Sequence, residues 1–481
     1  MKSLVTKARL RGIIFALSCA AVTAVSTLAA ESAALHGYNA AIGESSISGI
    51  SSGAFMAVQF GTAWSSVIRG VGVIAGGPYW CAKADAYDII NGYTLPVLNA
   101  EGQCMKGPPP IIDLNDLLAK AEAKAASGDI DPTQNLRRQK IYLFHGYNDA
   151  VVDKSVTDAA ADFYRHYLGD AGRGNLYYQT AIGAGHALVV LPQPRIHGLN
   201  GCTENTSPYI DRCGYDQAGI ILQHIYGALN PPNRGKPAGT IKSFDQSIYS
   251  KPDDTDPLSL GDIGYVFVPK DCDDGAECRV HIVLHGCTQD AGEIGRRFVD
   301  DTGYNSWADT NHLIVLYPQT KSSPFLPLNP EGCWDWWSYI DHQDSYVTKS
   351  GAQIRTLKAM LDALTAAAVP VDATTAAPPP APDALAVTDT SDTGAALAWA
   401  PVRGASAYQV WRAEADGVFH LVGSVAGPSY GDSGLTPQSF YRWRVSAIAG
   451  DAEGPPSTEI AATTRRAPAP CDTPGTCPVN K

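Results

Sequence analysis

The chain has 481 residues, of which 45% are hydrophobic and 17% charged, and its formal net charge is −12. This length is typical of two to three domains, and the apolar fraction excludes an intrinsically disordered chain. The acidic balance opposes nucleic acid as a partner, because a phosphate backbone is held by a basic surface. An anionic membrane surface is disfavoured for the same reason.

Residues 1–30 have the pattern of a secretory signal peptide. A basic start (Lys2, Lys7, Arg9, Arg11) contains no acid and leads through an apolar run at 13–17 to small residues ending at Ala30. A membrane anchor is the alternative, but the run is short and interrupted by Ser and Thr. We therefore expect a secreted protein, extracellular or periplasmic, with no membrane insertion.

Ten cysteines remain once Cys19 leaves with the signal, an even number in an oxidising compartment. Neither Cys-x-x-Cys nor His-Glu-x-x-His occurs, so no metal site and no cofactor are expected. Proximity along the chain suggests five disulfides, although sequence alone cannot fix their connectivity. The suggested pairs are Cys81/Cys104, Cys202/Cys213, Cys272/Cys278, Cys287/Cys333 and Cys471/Cys477.

Apolar runs alternate with helical patterns over residues 31–368, which is typical of an α/β sheet. The predicted strands are 71–75, 140–144, 176–180, 265–268, 280–284 and 313–317, and the predicted helices are 52–63, 216–229 and 352–366. The Pro/Ala/Thr-rich segment 369–382 predicts an extended linker.

Residues 383–465 show period-two runs separated by Gly and Pro turns, at 395–400, 408–412, 420–425 and 441–447. This pattern predicts a small β-sandwich. Trp399, the segment 408–411 and the segment 441–445 resemble a fibronectin type III module. We expect its tryptophans in the core rather than in contact with a polymer. A short tail, 466–481, follows.

The motif Gly49-Ile50-Ser51-Ser52-Gly53 lies between a short predicted strand and the predicted helix 52–63. This is the arrangement of a nucleophile elbow, in which the serine has a strained backbone and the flanking glycines remove steric clashes. The adjacent helix N-terminus offers free N–H groups to a developing anion. The motif alone is weak, since Gly and Ser are common in turns.

An acid and a base complete the predicted triad. Asp149 lies just after the predicted strand 140–144, where a triad acid belongs, and His186 ends a Gly-rich loop after the strand 176–180. The order Ser, Asp, His is that of α/β hydrolases. Asp153 and His197 are alternatives, but neither follows a strand as closely. The other histidines that follow no such pattern are interpreted as structural.

The predicted strand 280–284 ends in His285-Gly286-Cys287, which is typical of an oxyanion loop but lies far behind Ser51 in the chain. A circular permutation of the fold explains this order. The backbone N–H groups of Ser52 and Cys287 would then be the oxyanion donors, and the Cys287/Cys333 bridge would brace the second. The alternative is that His285 merely ends a strand.

Six motifs along residues 38–365 resemble those of extracellular poly(3-hydroxybutyrate) depolymerases. They are Gly49–Ala57, Gly76-Gly-Pro-Tyr-Trp-Cys81, Ser207-Pro-Tyr-Ile, His285-Gly-Cys-Thr-Gln289, Thr302-Gly-Tyr-Asn-Ser-Trp-Ala-Asp309 and Gly332-Cys-Trp-Asp-Trp336. The resemblance implies a circularly permuted α/β hydrolase domain followed here by the fibronectin type III-like sandwich. It implies the triad Ser51, Asp149 and His186, with oxyanion amides at Ser52 and Cys287.

The resemblance also implies an aromatic substrate crevice, to which Trp334 is the matching position. If the segment alternates, Trp334 and Trp336 share one face and Trp337 the other, so we expect one or two of them to line an apolar cleft that suits an aliphatic polyester. Family members typically carry a substrate-binding domain after such a module. In this sequence only the short tail 466–481 follows the module, so we expect a preference for amorphous polymer or soluble oligomers.

These observations predict a secreted, monomeric serine esterase that cleaves short-chain polyester or its oligomers through an acyl-enzyme. Two alternatives remain open. One is a carboxylesterase acting on another polymeric or plant-wall ester. The other is a non-catalytic surface-adhesion protein on a hydrolase scaffold, which the intact Ser51, Asp149 and His186 set disfavours.

Overall fold

The computed structural model describes residues 34–83, 89–90, 93–106, 112–191, 196, 198–250, 258–325, 327–340, 343–367, 378–403, 405, 407–415, 417–425, 427–449 and 452–466. The predictions for the signal segment 1–30, for most of the linker, for the tail with Cys471 and Cys477, and for His197 fall outside the described residues. None of the described helices is long and apolar enough to span a membrane.

Eight strands form the central sheet. Among these described strands, only Ile263–Val268 runs in the direction opposite to the others. They are β1 (Ser45–Ile50), β2 (Ile68–Ile74), β3 (Lys140–Phe144), β4 (Leu176–Gln179), β5 (Thr240–Asp245), β6 (Ile263–Val268), β7 (Arg279–Leu284) and β8 (Leu313–Tyr317). The order across the sheet is β5-β6-β8-β7-β1-β2-β3-β4. Every residue of β1 is buried, as expected of a strand with both faces covered.

The strand order confirms the circular permutation predicted from the sequence. Read from β5 to β8 and then from β1 to β4, the strands cross the sheet from edge to edge with a single interchange of β7 and β8. β1 and β7 are parallel neighbours, with Gly49 opposite Leu284. The turn after β1 and the loop after β7 therefore emerge side by side at the carboxyl edge of the sheet, where α/β proteins build their sites.

Ten helices of α type accompany the sheet in the described part of the chain. They are α1 (Ser52–Ala63), α2 (Leu95–Glu101), α3 (Leu114–Ala126), α4 (Lys154–Leu168), α5 (Gln217–Tyr226), α6 (Lys270–Asp273), α7 (Ala291–Ile294), α8 (Arg297–Asp301), α9 (Tyr304–Ala308) and α10 (Ala352–Thr365). Aspartates cap several of them: Asp113 accepts from the N–H groups of Asn115 and Asp116, and Asp153 accepts from Ser155.

Smaller elements complete the α/β region. A parallel three-stranded sheet contains Leu188–Val190, Ile210–Arg212 and Asn200–Gly201, and Ile89–Ile90 pairs with Tyr93–Thr94. Single-turn or irregular helices are Ile42–Glu44, Gly102–Lys106, Thr133–Arg138, Arg173–Asn175, Ser247–Tyr249 and Asp344–Val347.

Four of the five predicted disulfides are confirmed: Cys81–Cys104, Cys202–Cys213, Cys272–Cys278 and Cys287–Cys333. The first three close short loops, with 23, 11 and 6 residues of sequence separation, which is why proximity found them. The fourth joins residues 46 apart and ties the loop after β7 to the tryptophan-rich segment.

The C-terminal region is all β, which confirms the predicted sandwich. One sheet pairs Ala386–Thr390, Gly394–Ala398 and Ser429–Ser433, and the other pairs Phe419–Val425, Ala407–Ala413, Phe440–Ala449, Ala452–Glu453 and Ile460–Thr463. Both contribute to one core, in which Trp399 and Trp443 are buried as expected, whereas Trp411 is only half-buried and departs from that expectation. The Trp443 indole N–H donates to Asp432 Oδ2 at 2.7 Å, so the polar end of this tryptophan is satisfied inside the domain.

The predicted elements of the α/β region are found with end shifts of up to three residues. The helix predicted at 216–229 ends at Tyr226, because Gly227 takes a φ of 84° that terminates it. Several elements are not predicted by the sequence patterns, among them α3, α4, the edge strand β5 and the strands Ala386–Thr390, Ser429–Ser433 and Ile460–Thr463.

Candidate active site

Ser51 occupies the turn between β1 and α1, with a φ of 55° and a ψ of −124°. An L-residue rarely adopts a positive φ, so the turn holds the serine in a strained conformation. The flanking glycines make this possible: a side chain at Gly49 would collide with the Gly53 backbone, and one at Gly53 would collide with the carbonyls of Leu284 and His285. These are the features predicted for a nucleophile elbow.

Asp149 and His186 meet as the sequence predicts. His186 Nδ1 lies 2.8 Å from Asp149 Oδ2, and both side chains are almost completely buried. Asp149 Oδ1 accepts from the N–H groups of Val151 and Val152, at 2.9 and 3.0 Å. Burial by itself would raise the pKa of Asp149, but His186 and the two amides outweigh it and hold the pKa below its ordinary value. With a proton on Nδ1, the Nε2 of neutral His186 is free to accept one.

Asp153, the alternative acid, has a different role in the structure. Its Oδ1 accepts from Ser155 N at 2.8 Å and caps α4. The alternative interpretation of Asp153 as the partner of His186 is therefore wrong. His145, which directly follows β3, is also buried and bonds through Nε2 to the Val152 carbonyl oxygen at 2.9 Å.

The loop after β7 lies against the nucleophile turn. A Cβ added to Gly286 would be 3.2 Å from Ser51 Cβ, so the two backbones approach closely. The N–H groups of Ser52 and Cys287 make no hydrogen bond within the part of the chain that the structure describes. Among the same residues, no hydrogen bond joins the Ser51 hydroxyl to His186; bonds of this kind commonly tighten only when a substrate binds.

His285 fixes the peptide that carries the Cys287 N–H group. Its Nε2 accepts from Thr320 N at 3.1 Å, so Nδ1 carries the proton and donates to the Gly286 carbonyl at 2.7 Å. Burial lowers the pKa of His285 to about 4, which keeps the ring neutral at pH 7. Because the Gly286–Cys287 peptide is planar, holding its carbonyl also sets the direction of the Cys287 N–H.

Gln289 holds the other side of this loop. Its Oε1 accepts from Gly286 N at 2.7 Å, and its Nε2 donates to the carbonyls of Pro208 and Tyr209 at 2.8 and 3.2 Å. Gln289 lies within one of the motifs named above, but the sequence predicts no role for it. A single sequence carries no signal for this bridging role, since Pro208 and Tyr209 lie 81 and 80 residues away along the chain.

The structure corrects the expectation for Trp334. Its side chain is completely buried, and its indole N–H donates to the His285 carbonyl at 3.0 Å. Trp334 therefore supports the loop after β7 from beneath and lines no open cleft. Trp336 is also buried and stacks on Phe55 with ring centroids 4.2 Å apart. The alternation rule did not apply because this segment is made of turns and bends rather than a strand.

No protein-family model matches the chain. A poly(3-hydroxybutyrate) depolymerase of Delftia acidovorans is 37% identical over 419 residues, which are 85% of this chain and 77% of that protein. The chain belongs to the poly(3-hydroxybutyrate) depolymerase family. A polyhydroxybutyrate depolymerase of Talaromyces funiculosus is 37% identical over 319 residues, 63% of this chain and 84% of that protein.

Solved depolymerase structures share the fold of the α/β region. The PHB depolymerase from Penicillium funiculosum matches with a TM-score of 0.58 and 33% identity over 69% of this chain and 99% of its own. A PHB depolymerase complexed with an R3HB trimer gives a TM-score of 0.59 and 32% identity with the same coverage. These findings confirm the resemblance inferred from the motifs, and they make the chain a serine ester hydrolase.

Proposed function

We propose that this depolymerase cleaves the ester bonds of poly(3-hydroxybutyrate) or its oligomers with Ser51, His186 and Asp149 as the catalytic triad. The observation that carries the proposal is the buried Asp149–His186 hydrogen bond of 2.8 Å, on the same edge of the sheet as the strained turn at Ser51. Family relatives named for the same polymer support the substrate class.

The reaction proceeds in two halves. Ser51 Oγ attacks the ester carbonyl while His186 Nε2 takes the hydroxyl proton, and Asp149 stabilises the resulting imidazolium. The tetrahedral intermediate collapses when His186 returns the proton to the departing alcohol end of the polymer. A water molecule, deprotonated by His186, then attacks the acyl-Ser51 carbonyl. When this second tetrahedral intermediate collapses, the bond to Ser51 Oγ breaks, His186 returns the proton to Ser51 Oγ, and the acid end of the polymer leaves and ionises to a carboxylate.

The N–H groups of Ser52 and Cys287 would hold the negative oxygen formed in each half. Neither N–H group bonds to an acceptor among the described residues, and the bonds to His285, Gln289 and Trp334 hold the Cys287 loop in place. Such a prearranged donor needs no reorganisation when charge develops, which is why it lowers the barrier.

The wider organisation of the protein is proposed on the sequence. Residues 1–30 would direct secretion, 31–368 would be the catalytic domain, 369–382 the linker and 383–465 the fibronectin type III-like domain. The four disulfides support an oxidising compartment. All proposed catalytic residues belong to one chain, which supports a monomer as the active form.

The test is labelling of the protein with a serine-directed organophosphate, followed by peptide mass analysis. The proposal requires one label on Ser51, no label in Ser51→Ala, and turnover of a soluble butyrate ester lowered by several orders of magnitude in that variant. Asp153→Asn is the control and should label and turn over as the wild type does. Near-normal turnover by Ser51→Ala would refute the triad. An unlabelled, inactive wild type would favour the adhesion alternative.

Comparison of products from amorphous polymer, crystalline polymer and soluble oligomers then identifies the substrate. Release of 3-hydroxybutyrate units supports the proposal. Activity confined to other polymeric or plant-wall esters would favour the carboxylesterase alternative.

A further inference from the structure

The segment closed by the Cys202–Cys213 disulfide lies beside the loops that carry Asp149 and His186. Gly185 N donates to the Cys202 carbonyl at 2.9 Å, and a side chain at Gly185 would collide with the backbone of Glu204. Further along, Leu188 N donates to the Tyr209 carbonyl at 3.0 Å. The segment and the loop that ends at His186 are therefore fitted to each other along their length.

Asn205, within this segment, bonds to both catalytic loops at once. Its Oδ1 accepts from His186 N at 2.7 Å and from Ala150 N, the residue after Asp149, at 3.0 Å. Its Nδ2 donates to the carbonyls of Asn148 and Thr203 at 3.1 and 3.3 Å. Because the first two partners are backbone donors, the oxygen of the amide must face them, which fixes the side-chain orientation.

We propose that Asn205 is a positioning residue that sets His186 relative to Asp149. The two loops also bond directly, from Tyr147 and Asn148 to the carbonyls of Ile182 and Ala184. Those bonds lie two or more residues before His186, whereas Asn205 holds the backbone of His186 itself and of the residue next to Asp149. Misplacement of a reacting group by about 1 Å costs on the order of 100-fold in rate.

This inference rests on the proposed triad, and it predicts a change in kcat rather than in KM. Asn205→Ala removes all four hydrogen bonds, and kcat on a soluble butyrate ester should fall about 10- to 100-fold with KM little changed. The rate of organophosphate labelling of Ser51 should fall in parallel, because it reports the same base without a polymer site. Asn205→Asp keeps both accepted bonds but turns a carboxylate oxygen towards the carbonyls of Asn148 and Thr203, so its loss of kcat should be smaller than that of Asn205→Ala.

Glu204→Ala is the matched control. Glu204 is the preceding residue, and its side chain accepts one bond, from Gly201 N at 2.9 Å, within the same disulfide-closed segment. This variant should keep the wild-type kcat. Equal losses in Glu204→Ala and Asn205→Ala would overturn the proposal, because they would report the integrity of the segment and not the bonds of Asn205.

Two other outcomes also decide the matter. A folded Asn205→Ala protein with wild-type kcat and a lowered Tm would overturn the proposal in favour of a purely structural role. If the alanine variant does not fold, a large loss of kcat in folded Asn205→Asp would overturn it, and retained kcat would support it. Ser51→Ala in the same assay distinguishes failure of the proposed triad from failure of the role of Asn205. An active Ser51→Ala protein would refute the triad. An inactive Ser51→Ala protein together with a normal kcat in Asn205→Ala would refute only the role of Asn205.

Discussion

Replacing Asp149 by Asn should inactivate the enzyme even though the two side chains have the same shape. Oδ1 of Asp149 accepts from two backbone N–H groups, those of Val151 and Val152. In Asp149→Asn the amide oxygen has to remain at the position that faces these two N–H groups, since the NH₂ group cannot accept a hydrogen bond from them. The NH₂ group then faces His186 Nδ1, donates to it, and forces the ring proton onto Nε2, the atom that must accept from Ser51.

A histidine held in this tautomer lowers kcat by about 10⁴-fold, which corresponds to about 5 kcal/mol at 1.36 kcal/mol per tenfold. The assay is kcat and KM on a soluble butyrate ester, with circular dichroism to verify folding. Asp149→Asn should be no more active than Asp149→Ala, despite being isosteric with the wild type. Asp153→Asn still caps α4 and should behave as wild type. Asp149→Asn within tenfold of wild type would refute the reasoning.

Three further predictions follow from the loop after β7, the domain organisation and one buried acid. Cys287→Pro removes the proposed oxyanion donor, whereas Cys287→Ser removes only the bridge to Cys333. The proline variant should therefore lose about 2.7–4 kcal/mol more transition-state stabilisation than the serine variant. Equal kcat in the two folded variants would contradict the assignment of the Cys287 N–H as a donor. Deletion of residues after about 370 should leave turnover of soluble esters nearly unchanged, and pull-down should show no change in adsorption to crystalline granules. If the full-length chain adsorbs strongly and the truncated chain does not, the sandwich is a binding domain. Asp211 is buried with no hydrogen bond to either carboxylate oxygen from the described residues, and burial raises its pKa to about 7. Because the pKa is raised in the folded state, wild-type stability should fall relative to Asp211→Asn as pH rises from about 4 to 7, by about 1–3 kcal/mol; parallel Tm curves for the two proteins would contradict this.

The proposed triad could be suggested from the sequence because each member follows a local rule. Ser51 is marked by glycines that the backbone of the turn requires, and Asp149 and His186 each follow a strand that its own apolar run reveals. The disulfides were predictable because three of them close short loops and the fourth was left by elimination. For each member of the proposed triad the necessary information lies within a few residues of sequence, whereas the Cys287–Cys333 pairing depends on all the other cysteines having partners.

Trp334 and Asn205 show where local rules end. The role of Trp334 depends on the His285 carbonyl, 49 residues away, and periodicity has no meaning in a segment of turns. Asn205 acts through backbone groups of Ala150 and His186, which lie 55 and 19 residues away. A side chain whose partners are backbone atoms of distant loops leaves no residue pattern in one sequence, so only the folded geometry identifies it.

The permuted chain order leaves the chemistry intact because catalytic groups are placed by strand register and not by their order in the chain. Gly49 of β1 pairs with Leu284 of β7 in a parallel register, so Ser51 and Cys287 emerge two and three residues later at the same edge. Ile74 of β2 pairs with Phe144 of β3, and Phe144 pairs with Gln179 of β4, so these strands end at the same edge of the sheet. The loop with Asp149 follows β3, and the loop with His186 follows β4. Any chain that preserves these registers brings the same groups together, wherever its ends lie. This register also explains why the ending of the strand 280–284 could suggest the proposed oxyanion loop, although that loop follows Ser51 by most of the length of the domain.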